Sequence, residues 1–401
     1  MDRDSWSRAG GLWAAQLTQK AAILVFSFLV GRTHGSEGVG VMASVLALAW
    51  MVGTVAGMGL PDRSVFRGAE EARDVHNRRL YGSFLVMVLL SHGPMVGVAG
   101  WMGGIDDPSL VSFARGLVVG AGLHCASAVG LGWLRGAGRP EAEIGSMFVS
   151  ALVLIATPWL GGSLGAAWAI SGAIMLLGSL LGNRQSGLHP SWPALPASVV
   201  REGLPFLVYG LGAWWMGNMD VVLARWAHHP DDVGSLQVGT MTVRGLALVP
   251  WVAATLMLKP LGQQWDSGSS PQPIRWVVRA AGVGALVAGT AWVVMPFLAI
   301  GHHVPIGSIE RTTIASMLIA PVLYAFVFLV PVAAHWHLGR TLKALGIGFM
   351  VSIAVGLSAF SVVDVASKIV VAGTGQFVAL IWLMQVFRSG RAQRTKMNRD
   401  A

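Results

Sequence analysis

Long apolar segments recur along the whole chain of 401 residues, and they constrain its fold more than any other feature. A helix needs about 20 apolar residues to cross the hydrocarbon core of a bilayer, and twelve such segments are separated by short polar breaks. Only 12% of the residues are charged, which is about half the share that is usual in globular domains. The sequence therefore predicts an all-α, polytopic membrane protein and excludes an ordinary soluble domain.

The basic residues give the twelve predicted membrane-spanning helices one orientation. Of the 28 Lys and Arg residues, 21 fall at the termini and in the connections of one side, and only four fall in the connections of the other: Arg32, Arg225, Arg311 and Lys368. Because basic residues are retained on the cytoplasmic side, we expect both termini in the cytoplasm. The predicted spans lie near residues 11–30, 39–60, 81–103, 110–134, 144–160, 163–182, 204–226, 235–258, 276–299, 312–335, 344–362 and 368–387.

The order of the spans predicts two six-helix halves, 1–190 and 191–401, the second ending in a basic cytoplasmic tail. Both halves would start on the cytoplasmic side, as parallel repeats about an axis along the membrane normal do. Short sequence echoes support the repeat: Glu37-Gly38-Val39-Gly40 follows the first span, and Asp231-Asp232-Val233-Gly234 follows the seventh. No connection is long enough to fold as a soluble domain, which disfavours a membrane-bound glycosyltransferase or polymerase.

Several chemical classes are excluded by the residues that the sequence lacks. The single Cys125 permits no intrachain disulfide and no Cys-based metal cluster. No Lys follows a Gly, so the phosphate loop of ATPases is missing. No His, Asp or Glu pair has metal-ligand spacing, and no nucleophile–base set is visible. We therefore expect no metal, no cofactor and no enzymatic activity, and we interpret the net charge of +9 as membrane topology, not as nucleic-acid binding.

Polar residues at the start of each half resemble those of a known family. The first half contains Gln16-x-x-Gln19-Lys20, an apolar run, and then Gly35-x-Glu37-Gly38-x-Gly40; the second half contains Asp220, an acidic turn ending at Gly234, and Pro260. This pattern resembles the bacterial polysaccharide-biosynthesis flippases, the O-antigen-type translocases of the multidrug/oligosaccharidyl-lipid/polysaccharide (MOP) exporter superfamily.

That resemblance implies an alternating-access transporter for polysaccharide export. Its expected substrate is an oligosaccharide linked to an isoprenoid pyrophosphate, moved from the inner to the outer leaflet for lipopolysaccharide or a related surface polymer. The expected partners are this lipid-linked substrate, the membrane lipids, and polysaccharide polymerase or export proteins.

Four ionisable residues fall inside predicted spans, where they are costly and usually functional. Gln16, Gln19 and Lys20 share one helical face by their i, i+3, i+4 spacing, which predicts a substrate-binding cavity surface that attracts phosphate; the alternative is a structural pairing of Lys20. Arg115 either lines the same cavity or extends outward to the membrane surface.

The remaining two charges, Asp220 and Arg244, fall at similar depths in the consecutive seventh and eighth spans. They could form a buried ion pair that fixes helix packing. Alternatively, Asp220 couples transport to a proton or cation while Arg244 binds an anionic substrate.

Two other functions remain open from the sequence. A cation-coupled exporter of drugs or metabolites could use the same scaffold, although its usual cationic substrates fit poorly with an interior of three cations and one carboxylate. A non-transporting scaffold of a polysaccharide-synthesis complex would need no polar cavity at all.

Overall fold

The predicted all-α architecture is confirmed by a computed structural model of the chain, which describes residues 3–57, 75–136, 139–185, 197–247, 250, 254, 273–358 and 364–400. Within these ranges the regular structure is helical throughout. The helices are α1 (Arg3–Ala56), α2 (Val75–Gly97), α3 (Ala99–Gly103), α4 (Pro108–Gly136), α5 (Glu141–Trp159), α6 (Leu164–Gln185), α7 (Ala197–Ala227), α8 (Pro230–Leu246), α9 (Pro273–His302), α10 (Ile306–Ser358) and α11 (Val365–Asp400).

Helix α1 doubles back at Gly35, so that it holds the first two predicted spans. Gly35 adopts φ 65° and ψ −163°, a conformation outside the helical region that glycine reaches without steric cost. Ala15 packs with Leu131 and Leu134, while Ala56 packs close by on the same end of α4. A straight helix would separate Ala15 and Ala56 by about 60 Å, so the chain must reverse between them.

Helix α10 reverses as well, as its contacts with α11 demonstrate. A Cβ atom added at Gly373 would lie 2.5 Å from Cγ2 of Ile319, and one added at Gly375 would lie 1.8 Å from Oγ of Ser352. Ile319 and Ser352 would be about 50 Å apart in a straight helix, yet both contact one short stretch of α11. The tenth and eleventh predicted spans are therefore the two arms of α10.

The chain is a multi-pass membrane protein. Eight helical segments of the described residues are long and apolar enough to cross a membrane, and shorter apolar helices cover Tyr81–Gly97 and Gly203–Gly212. Each of the twelve predicted spans overlaps a helix, although residues 248–249 and most of 251–258 of the eighth span lie outside the described residues, as does Pro260.

The chain divides into two compact units. The first comprises Met1–Leu211, His228–Gly234 and Gly301–Val304, and the second comprises Gly212–Ala227, Ser235–Ile300 and Pro305–Ala401. The division into halves at 190/191 stays a prediction, since the segment 186–196 around it is not described.

Glycines let α4 and α6 approach closely inside the first unit. A Cβ atom at Gly116 would lie 2.4 Å from the Cα atom of Gly165, and one at Gly172 would lie 2.5 Å from the carbonyl oxygen of Gly120. Small residues at such crossings allow backbone contact between membrane helices, where van der Waals packing drives association.

Candidate functional site

The predicted polar stripe lies on the first arm of α1, where all three residues are helical. Gln16 is buried, and its Oε1 has no hydrogen-bond partner among the described atoms. Gln19 is half-buried and Lys20 is exposed. An ammonium group within a membrane-spanning segment needs water or polar partners, so the exposed Lys20 marks a surface suited to an anion.

His124 of α4 lies next to this stripe, close enough to Lys20 for the two to interact electrostatically. Its Nε2 is 3.4 Å from Oγ of Ser171, which is in turn 2.7 Å from Oγ of Ser150. These contacts are typical of a hydrogen-bonded packing residue.

Two tryptophans also face the His124 ring. The ring centroids of Trp50 and Trp168 lie 6.2 Å and 5.6 Å from that of His124. The first unit therefore has a polar centre with aromatic walls, built from both arms of α1 and from α4, α5 and α6.

Arg115 lies on α4 about 13 Å from His124 along the helix, and its side chain is exposed. No carboxylate of the described residues is within salt-bridge distance of Arg115 or Lys20. Neither Lys20 nor Arg115 is therefore paired with a carboxylate of the described residues, and whether the two line one cavity stays a prediction.

Asp220 and Arg244 form an ion pair in the second unit, between Nη2 of Arg244 and Oδ2 of Asp220. Asp220 is fully buried and Arg244 is partly exposed. The other carboxylate oxygen of Asp220 accepts a hydrogen bond of 2.9 Å from the N–H of Val221. The structure thus brings the two predicted residues together, and their role in ion coupling or substrate binding stays a prediction.

The two echoed turns contact each other inside the first unit. Ser36 donates a 2.6 Å hydrogen bond to Oδ1 of Asp231. A Cβ atom at Gly40 would lie 1.9 Å from the carbonyl oxygen of Pro230, and one at Gly234 would lie 2.0 Å from that of Ser36. We name this backbone contact between residues 36–40 and 230–234 the turn contact; the sequence showed the echo but not the contact.

The burial of two charged residues was not expected from the sequence. Lys368, which was assigned to a connection on the outer side, has a fully buried side chain near the start of α11. Hydropathy did not reveal this position because a residue at a span end is equally compatible with a loop. Glu143 is also fully buried, in the first turn of α5, and no signal in the sequence distinguished it.

Comparison with solved structures places this geometry in a known fold. An outward-facing multidrug resistance MATE family transporter of the MOP superfamily matches with a TM-score of 0.66 and 15% identity, covering 98% of this chain and 96% of the other. A structure of a multidrug resistance MATE family transporter of the MOP superfamily in the inward-facing conformation matches with a TM-score of 0.64 and 15% identity. This match covers 97% of this chain and 99% of the other. A MOP superfamily transporter from Pyrococcus furiosus, described as having a binding pocket of reverse polarity that suggests a different function, matches with a TM-score of 0.62 and 15% identity, covering 96% and 95%.

The fold of this chain is therefore that of MOP superfamily transporters. No protein-family model matches the sequence, and no curated protein matches it. At 15% identity these matches show the fold alone; they confirm the fold that the resemblance implied and do not support the narrower O-antigen-type flippase family.

Proposed function

We propose that this chain is an alternating-access, cation-coupled exporter of small amphipathic anions, either drugs or metabolites, and not an enzyme. The similarity in fold to multidrug transporters over nearly the whole chain supports the transporter class. The observation that carries the choice of an anion is the exposed Lys20 on the Gln16–Gln19–Lys20 stripe of α1.

The charge of the described interior supports an anionic substrate. Asp220 is neutralised by Arg244, whereas Lys20 and Arg115 have no described carboxylate partner. A cation within a membrane-spanning segment needs water or polar partners, and an anionic substrate would supply such a partner while it is bound. The Pyrococcus furiosus neighbour, with its binding pocket of reverse polarity, supports the idea that this fold accommodates substrates of different charge.

A dye-efflux assay in cells tests this proposal with two probes of opposite charge, carboxyfluorescein as the anion and ethidium as the cation. Cells that express the chain should retain less carboxyfluorescein than vector controls, and Lys20→Gln should abolish most of that difference. Thr18→Ala is the matched control, because Thr18 is exposed on the same arm and bonds only its own helix in the described structure. Efflux of ethidium without carboxyfluorescein would overturn the anionic substrate while leaving the exporter class intact.

A second candidate function is the flipping of an isoprenoid-pyrophosphate-linked oligosaccharide in the bacterial inner membrane. The sequence pattern around Lys20 favours it, and a diphosphate presents the same anionic chemistry to Lys20 and Arg115 with its apolar tail left in lipid. Proteoliposomes that contain a fluorescent lipid-linked sugar, quenched from outside by dithionite, measure this activity. Flipping that depends on Lys20, without efflux of carboxyfluorescein, would favour this candidate, and co-purification with polysaccharide polymerase or export proteins would support it further.

A non-transporting scaffold remains the third candidate from the sequence. It predicts that neither dye nor lipid-linked sugar moves, while removal of the chain still impairs polysaccharide synthesis. The exposed Lys20 on α1 disfavours this reading, since a scaffold gains nothing from an exposed ammonium group within a membrane-spanning segment.

A further inference from the structure

A cavity of about 640 Å³ lies in the first unit where four segments meet. These segments are the end of the first arm of α1, the start of α4, the end of α5 and the start of α6. The charge distribution predicts that this end of the bundle faces outward. Arg32 in this cavity is about 18 Å from Lys20 along the helix, so the cavity is distinct from the polar stripe.

Arg32 supplies a positive charge to this cavity. Its side chain is exposed and lines the cavity, and no described carboxylate lies within salt-bridge distance of it. Arg311, also assigned to the outer side, instead pairs with Asp364 at 3.7 Å. A guanidinium group presents several N–H donors in a fixed plane, which suits the oxygens of a phosphate group.

The start of α6 contributes further donors to the same cavity. Oγ of Ser163 accepts a 3.1 Å hydrogen bond from the N–H of Ala166, which leaves the hydroxyl hydrogen of Ser163 free to donate. The N–H groups of Leu164 and Gly165 belong to the first turn and have no acceptor within the helix. All three residues line the cavity, and the N-terminus of a 22-residue helix carries a partial positive charge.

Trp159 gives the cavity an apolar wall next to these donors. Its side chain is 74% exposed although the residue ends a membrane-spanning helix. Tryptophan is enriched where hydrocarbon meets headgroups, so a ligand here would have its charged group near Arg32 while its apolar part reaches the bilayer. His34 and Phe113 also line the cavity, and their rings stack with centroids 5.5 Å apart.

Two carboxylates, Asp107 and Glu37, lie close enough to His34 of the cavity wall to interact with it electrostatically, but neither lines the cavity. Asp107 accepts 2.9 Å hydrogen bonds from the N–H and the hydroxyl of Ser109, and these bonds hold the pKa of Asp107 below its usual value. The Asp107 carboxylate therefore accepts hydrogen bonds in the first turn of α4, and Asp107 does not line the cavity.

We propose that this cavity is a binding site for a phosphate-bearing headgroup, with Arg32, the Ser163 hydroxyl and the first N–H groups of α6 as its donors. Two sources share this chemistry: an anionic phospholipid of the surrounding leaflet and a soluble phosphate ester. The proposal does not depend on the transported substrate, because Lys20 is not part of the site.

Native mass spectrometry of the purified full-length chain tests the lipid source, with phosphatidylglycerol and phosphatidylcholine as the two probes. The wild-type protein should retain phosphatidylglycerol in preference to phosphatidylcholine, and Arg32→Gln should weaken that retention about tenfold through the loss of charge-assisted hydrogen bonds. Arg311→Gln is the matched control and should retain the lipid as the wild type does.

Thermal unfolding in glycerol 3-phosphate tests the soluble source. An increase in melting temperature that disappears in Arg32→Gln, without any Arg32 dependence of lipid retention, would assign the site to a soluble phosphate ester. Arg32→Lys, which retains the charge, should preserve part of either effect and covers the case in which Arg32→Gln fails to fold. Lipid retention and melting temperature that are both unaffected by Arg32→Gln would overturn the proposal.

Discussion

Replacing Gly234 by alanine should weaken the turn contact and shift the protein toward a state in which the two turns are apart. The new Cβ atom would lie 2.0 Å from the carbonyl oxygen of Ser36, whereas real Cβ atoms essentially never come within 3.0 Å of another heavy atom. Both partners are backbone, so neither can rotate away. The turns must therefore separate by about 1 Å or more, or the hydrogen bond between Ser36 and Asp231 must break.

The energetic cost of this change follows from the packing. Inserting a methyl group into a close contact costs about 1–3 kcal/mol. Under the proposed alternating access, we expect the contact to open in the outward-facing state, so that the closed state alone bears this cost. A shift of about 2 kcal/mol changes the ratio of open to closed molecules by about 30-fold.

Cysteine accessibility measures this shift. Val39 is fully buried beside the contact, and the native Cys125 is also buried, so a membrane-impermeant maleimide should label Val39→Cys slowly in intact cells. The labelling rate should rise about 30-fold in the Val39→Cys/Gly234→Ala protein, since it follows the open population.

Gly307→Ala provides the matched control, because a Cβ atom at Gly307 meets nothing within 4 Å. Equal labelling rates for the Gly234→Ala and Gly307→Ala proteins would refute the role of the turn contact in opening and closing.

Two further predictions concern stability and are measured by thermal unfolding in detergent. Asp220→Asn should lower the unfolding free energy of the second unit by about 3–5 kcal/mol, because it leaves the partly buried Arg244 without its partner. Adding Arg244→Gln should recover much of that stability. Losses of stability that add up in the double variant would contradict the ion pair. Gly116→Val should lower the melting temperature, since its Cβ atom would lie 2.4 Å from the Cα atom of Gly165. Gly145→Ala should leave the melting temperature unchanged, because a Cβ atom there meets nothing within 4 Å. Equal effects of the two substitutions would contradict the close crossing of α4 and α6.

The sequence predicted the membrane-spanning segments and the ion pair between Asp220 and Arg244. The length of the apolar segments alone indicated the spans that overlap helices. This works because the free energy of transferring a segment of about 20 residues into lipid is a sum over its residues. The ion pair between Asp220 and Arg244 was also accessible, since helical rise fixes the depth of each residue in two consecutive spans.

Other features were not accessible because they depend on contacts between distant segments. The hydrogen bonds from His124 to Ser171 and from Ser171 to Ser150 join three helices. Hydropathy gives no information about which helices are neighbours. The glycines Gly40 and Gly234 were visible as an echo, but only the structure reveals that their backbones touch.

Transport by the purified chain in proteoliposomes tests the central claim most directly. With carboxyfluorescein inside the vesicles and an imposed proton or sodium gradient, the wild-type protein should release the dye. Lys20→Arg should retain most of the release rate. Lys20→Gln should release the dye about tenfold more slowly, because the positive charge is missing. A wild-type rate no higher than that of protein-free vesicles, or equal rates for Lys20→Gln and wild type, would contradict the proposal of an anion exporter that binds its substrate at Lys20.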